Sequence, residues 1–199
     1  MQILTRNEAI HRAAHLHVSA IDVVVDIRDA KDTTNPTYPV TSTLTLTSDE
    51  ERTFIDIAGE VGEVLVNGEP HTFDDDEDRV WVGGLPVGET ITLEVRALAR
   101  YSRSGEGLHR YTDPEDGEVY LYTQFEPNDA HRAWPCVDQP DVKPEWTFHV
   151  IAPAGWVVSS NGVESAAEVV DDSGAVRHDF TATRPLSSYI TAIVAGPWA

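Results

Sequence analysis

Gln124 and Glu126 stand two apart in the stretch LYTQFEP. A strand ending near Glu126 turns both side chains to one face, because successive side chains alternate. A carboxylate beside an amide can accept hydrogen bonds from an ammonium group, the carboxylate supplying charge and the amide orientation. On residue types alone, the plainer reading is favoured: a pair that braces a loop through backbone N–H groups. The surrounding tract, residues 121–144, is unusual for the interior of a β domain. Asp129, His131, Arg132, Asp138 and Gln139 interleave there with Tyr122, Phe125, Trp134 and several prolines.

Other constellations are weaker. His11 and His15 have the i, i+4 spacing by which two imidazoles on a helix share a zinc ion. The residue after the first histidine is Arg12, where a zinc protease places glutamate, and a guanidinium there would repel a cation. The pair is therefore read as part of an amphipathic helix, and no metal site is expected. Asp74, Asp75, Asp76, Glu77 and Asp78 lack the alternate spacing and glycine turn of a calcium loop and read as a solvated loop. Cys136, between Pro135 and Val137, has no neighbouring base and reads as a packed thiol. Ser104-Gly105-Glu106-Gly107 lacks the lysine of a phosphate-cradling loop. Glu106 with Glu126 could be imagined as a glycosidase pair, but 34 acidic residues make such pairs easy to find by chance.

Those 34 acids face 14 basic residues in 199, a formal charge of −20. Nucleic-acid binding is disfavoured, since phosphate contacts need clustered Lys and Arg, and so is an anionic membrane surface. A single cysteine excludes an intrachain disulfide and a thiolate-built zinc site. With no signal-like N-terminus and no long apolar run, the chain is expected to be cytoplasmic.

The elements that must position these residues are mostly strands. Thr5 and Glu8 have capping-box spacing, which predicts a short helix over about 6–16. Ile21, Val23, Val25 and Ile27 then alternate with polar or smaller partners, a half-buried strand. Further strands are predicted around 44–46, 54–57, 64–66, 80–82, 91–98, 119–125, 146–151, 156–159, 176–183 and 189–194. Asn67-Gly68, Asn161-Gly162 and Asp172-Ser173-Gly174 mark turns. The reading is roughly ten to fourteen short strands: an all-β, saddle-like or sandwich assembly of antiparallel and mixed sheets behind a short N-terminal helix.

Several motifs, in order, carry a resemblance. Gly107-Leu108-His109-Arg110-Tyr111, Tyr122-Thr123-Gln124-Phe125-Glu126-Pro127 and Ala133-Trp134-Pro135-Cys136-Val137-Asp138-Gln139-Pro140 closely resemble the N-terminal domain of the M1 zinc aminopeptidases. Ile21-Asp22-Val23, Ser159-Ser160-Asn161-Gly162 and Pro185-Leu186-Ser187-Ser188-Tyr189 with Ala195-Gly196 fall where that family has equivalents. The resemblance extends over essentially the whole chain.

It implies that residues 1–199 are one saddle-like β domain that packs on a thermolysin-like catalytic domain of the same polypeptide. Glu126, with Gln124 beside it, corresponds to the family's substrate-binding Gln-x-Glu motif, which holds the free α-amino group of a peptide. The resemblance thus reverses the preference for a mere loop brace. The Trp134–Pro140 motif is implied to be a rigid structural turn. Phe125 occupies a position that varies in the family, so side-chain preference is not readable from it. The family's HExxH zinc helix and GAMEN-type segment have no counterpart here, since no His is followed by Glu. The expectation is a chain inactive alone, with no catalytic residue and no cofactor of its own, zinc being bound elsewhere in the full enzyme. The alternative is a stand-alone β-sandwich binding module.

Overall fold

The structure is a computed structural model that describes residues 4–198. In chain order it contains α1 (Arg6–His15), β1 (Leu16–Asp26), β2 (Thr37–Ser48), β3 (Thr53–Asp56), β4 (Gly59–Val66), β5 (Glu69–Pro70), β6 (Phe73–Asp76), β7 (Arg79–Val82), β8 (Thr90–Arg100), β9 (Gly107–Thr112), β10 (Val119–Gln124), β11 (Glu145–Ala152), β12 (Val157–Ser160), β13 (Glu164–Val169), β14 (Val176–Phe180) and β15 (Ile193–Gly196). Single 3-10 turns occupy Ala130–Arg132 and Ser188–Ile190.

The helix starts as its residues dictate. Thr5 Oγ1 accepts the Glu8 N–H while the Glu8 carboxylate accepts the Thr5 N–H at 2.8 Å, a closed capping box. β1 follows without a loop. A bulge between Val18 and Ala20 shifts its phase, so Leu16 and Val18 face inward before it and Ile21, Val23 and Val25 after it.

β1 is central to an eight-stranded sheet of order β13-β14-β11-β1-β2-β8-β4-β5, in which β1 and β11 run parallel and the remaining pairs antiparallel. Two smaller sheets have the orders β12-β15-β10-β9 and β3-β7-β6. One continuous core joins all three: Val23, Leu44 and Phe148 come from the large sheet, Leu121 and Ile193 from the second, and Ile55 and Val80 from the third. This is the all-β assembly of antiparallel and mixed sheets expected from the alternation.

Among the described residues there are fifteen strands, above the expected range, and three local differences have physical causes. Asp74, Asp75 and Asp76 are not loop: they form β6, pairing with Trp81, Val80 and Arg79 of β7. β6 is an edge strand, where charges are tolerated because they discourage further pairing. Ser188–Ile190 is a 3-10 turn rather than strand, with β15 starting at Ile193. There the Ser188 hydroxyl donates to Asp138 at 2.6 Å and the Ser187 hydroxyl to the Pro140 carbonyl at 2.6 Å, and side-chain bonds of this kind compete with a ladder. β9 and β13 have too little apolar periodicity to be read from sequence. The turn residues hold: Asn67 and Gly68 have φ of 52° and 82°, the left-handed pair a tight hairpin needs.

Candidate functional site

β10 ends at Gln124, held between β9 and β15. Phe125 turns inward, and its ring meets Trp134 edge-on with centroids 4.9 Å apart. Trp134 in turn packs on Phe148 of β11, centroids 5.2 Å apart. Burying Phe125 leaves Gln124 and Glu126 on the outside, as alternation predicts. Gln124 Oε1 accepts the Glu126 backbone N–H at 2.8 Å. The amide therefore fixes the backbone that carries the carboxylate. Glu126 is exposed, and its carboxylate makes no hydrogen bond or ion pair among the described residues. The pair acts as a loop brace through Gln124 while leaving the acid free.

The residues just downstream are committed elsewhere. His131 is buried, with Nδ1 2.8 Å from an Asp138 oxygen that also accepts its backbone N–H at 3.1 Å. Desolvation opposes protonation of this imidazole, but hydrogen bonding to Asp138 prevails and raises its pKa. Arg132 pairs with Asp129 at 2.7 Å and with Glu106 at 3.3 Å. Neither His131 nor Arg132 pairs with Glu126, and Glu106 is paired to a guanidinium. Cys136 is fully buried, and burial pushes its thiol far above the ordinary value, so it is a packing residue.

The Trp134–Pro140 segment is a hub. Tyr38 donates its hydroxyl to the Ala133 carbonyl at 3.0 Å. Cys136 and Asp56 exchange backbone hydrogen bonds of 3.0 and 2.8 Å. Asp138 N–H donates to the Asp56 carboxylate at 2.9 Å, and Gln139 Nε2 donates to the Ala9 carbonyl of α1 at 2.9 Å. The rigid turn behind β10 is thus fastened to α1, β3 and the Ser188 turn. Sequence reasoning had no signal for the Asp56 link, whose partners lie far apart in the chain.

The outer face of the four-stranded sheet continues from Gln124. Tyr122 lies opposite Val194 and His109, and Tyr111 opposite Tyr120, so these side chains share Gln124's face. Tyr111, Tyr122, Val157 and Val194 are exposed there, and Trp198 packs on Tyr120 at 4.6 Å. A row of exposed large apolar side chains on one sheet face is the signature of an interaction surface. Individual residues gave no hint of it, because sharing this face depends on the order of β12, β15, β10 and β9.

The site is thus an exposed carboxylate at the end of β10 beside a sheet face of exposed aromatic and aliphatic side chains. The family profile described as the peptidase M1 N-terminal domain matches residues 69–190, and the chain belongs to that family. Aminopeptidase N of Streptomyces lividans is 39% identical over 202 residues, which is 98% of this chain and 22% of that protein. Aminopeptidase N of Haemonchus contortus is 33% identical over 113 residues, and mouse glutamyl aminopeptidase 33% identical over 86. They are matched over 12% and 9% of their own lengths. The chain therefore spans under a quarter of each of these relatives. Among the described residues no helix is long and apolar enough to cross a membrane.

Proposed function

We propose that this chain is the substrate-anchoring N-terminal domain of a zinc-dependent aminopeptidase that removes N-terminal amino acids from peptides. The observation that carries the reading is the Glu126 carboxylate, unpaired and exposed at the end of β10 on a backbone fixed by Gln124. An unpaired carboxylate is suited to a charge-assisted hydrogen bond from a peptide's free α-ammonium group. Fixing that ammonium presents only the first peptide bond to the reacting centre, which limits cleavage to one residue at a time. The apolar face beside Gln124 is the surface on which a thermolysin-like catalytic domain of the same polypeptide packs. That domain would supply the zinc, whose chemistry when bound would be to polarise the scissile carbonyl and activate water. No residue of residues 1–199 is assigned a catalytic role, and the chain alone is inactive and cytoplasmic.

The test is Glu126→Ala in the full-length enzyme, assayed on peptides with a free N-terminus. The expected result is a raised KM and a kcat/KM lowered by more than about tenfold, roughly 1.4 kcal/mol or above. Unchanged kinetics would remove the role assigned to Glu126.

A further inference from the structure

We propose that His11, His15 and Glu50 form a three-ligand binding site for a divalent transition metal of the zinc class, on the last turns of α1 and the turn that follows β2. One potential ligand atom from each residue lies within 4.8 Å of the other two. His11 Nε2 is 2.9 Å from Glu50 Oε2, and the His11 and His15 rings are 4.6 Å apart. Two imidazoles and a carboxylate are a donor set that zinc(II) accepts, with a fourth position open to water.

Arg12 lines the same cleft, but its charge is paired with a carboxylate. Its guanidinium is turned into the core, 4% exposed, where NH1 donates to Asp56 at 2.7 Å and Nε to Gln139 at 3.0 Å. The other charges lining the same cleft are also paired: Glu8 with Arg79 at 2.8 Å and Arg52 with Asp74 at 3.1 Å. His15 makes no side-chain hydrogen bond among the described residues, and Glu50's only side-chain partner is His11.

The frame is held before any ion arrives. The Asp49 N–H donates to the His15 carbonyl at 2.9 Å, tying the Glu50 turn to the helix end. Ser48 Oγ accepts the Glu50 N–H at 3.1 Å and donates to the Glu50 carbonyl at 2.8 Å. The C-terminal end of a helix favours a cation, as does a chain of charge −20. With Arg12 where a zinc protease has its general base, the site binds and does not hydrolyse.

Calorimetric titration of the untagged chain with zinc chloride should show one stoichiometric site of micromolar affinity or tighter. His15→Ala and Glu50→Gln should each weaken it by about tenfold or more, while His71→Ala leaves it unchanged. Cobalt(II) should give visible d–d bands that zinc abolishes and that are lost in His11→Ala. Far-UV circular dichroism shows whether each variant keeps its fold. Absence of a stoichiometric site, or one insensitive to His15→Ala in a folded variant, overturns the proposal and leaves His11–Glu50 a surface ion pair.

Discussion

Arg12 NH1 donates to Asp56 Oδ2 across 2.7 Å, and the same carboxylate oxygen accepts the Asp138 N–H at 2.9 Å. One buried acid thereby joins the N-terminal helix to the turn that backs β10. A ten-residue helix is too short to hold itself together in water, so α1 depends on this docking. The Arg12 guanidinium also lies 4.4 Å from the Phe54 ring centroid, covering the apolar side of the joint.

Removing one partner of a buried pair strands the other. Arg12→Met is therefore expected to lower stability by about 3–5 kcal/mol, read from urea unfolding of the chain. Arg12→Met combined with Asp56→Asn should recover part of that loss, because neither partner's charge is then left buried without the other. A single-variant loss under about 1 kcal/mol would show that the joint is not what holds α1.

The joint also shows where sequence reading ends. Alternation in β1, the capping box at Thr5 and the Asn67-Gly68 turn were legible because each depends on neighbours within a few positions. The family and the position of Glu126 came from ordered motifs. Partnerships such as Arg12 with Asp56, or Glu50 with the helix histidines, span some 35 to 44 positions and leave no local trace. Asp74–Asp76 misled for the opposite reason: their low strand propensity is overridden by pairing with Val80 and Trp81. Spacing along α1 likewise does not reveal that the long Arg12 side chain is drawn into the core to Asp56.

Stability should also depend on pH through His149, which bridges Asp22 of β1 and Asp179 of β14. Hydrogen bonding to Asp22 is the largest influence and raises its pKa above the ordinary 6.5, with burial opposing and Asp179 assisting. A raised folded-state value means that this contribution is complete below about 6.5 and is lost as pH rises through the folded value. His131 shifts in the same direction and adds to the effect. The unfolding free energy should therefore fall on going from pH 6 to pH 8, and His149→Gln should flatten that fall by about 1 kcal/mol. An unaltered pH profile in the variant would exclude His149 as its source.

The proposed function gives Gln124 a role separable from that of Glu126. Its side-chain oxygen holds the Glu126 N–H, so Gln124→Ala frees the backbone without removing the charge. In the full-length enzyme the expected loss in kcat/KM is about threefold to tenfold, the worth of one neutral hydrogen bond, and smaller than for Glu126→Ala. Because Gln124 is exposed, the stability of the chain should change by less than about 0.5 kcal/mol. A loss as large as that of Glu126→Ala would mean that the amide bonds the substrate directly.

The exposed face of β10 and β15 supplies a different test, because it separates domain docking from folding. Tyr122 and Val194 lie directly opposite each other and both point away from the core. Replacing both with lysine removes little buried area from the chain itself, so its own unfolding midpoint should stay nearly constant. With the proposed docking of a catalytic domain on this face, the same change in the full-length protein would bury two ammonium groups, at about 2 kcal/mol or more. The expected signature is a lowered thermal midpoint and faster limited proteolysis between the domains in the full-length variant, beside an unperturbed isolated chain. Equal behaviour of wild type and variant in both settings would place the catalytic domain on another face.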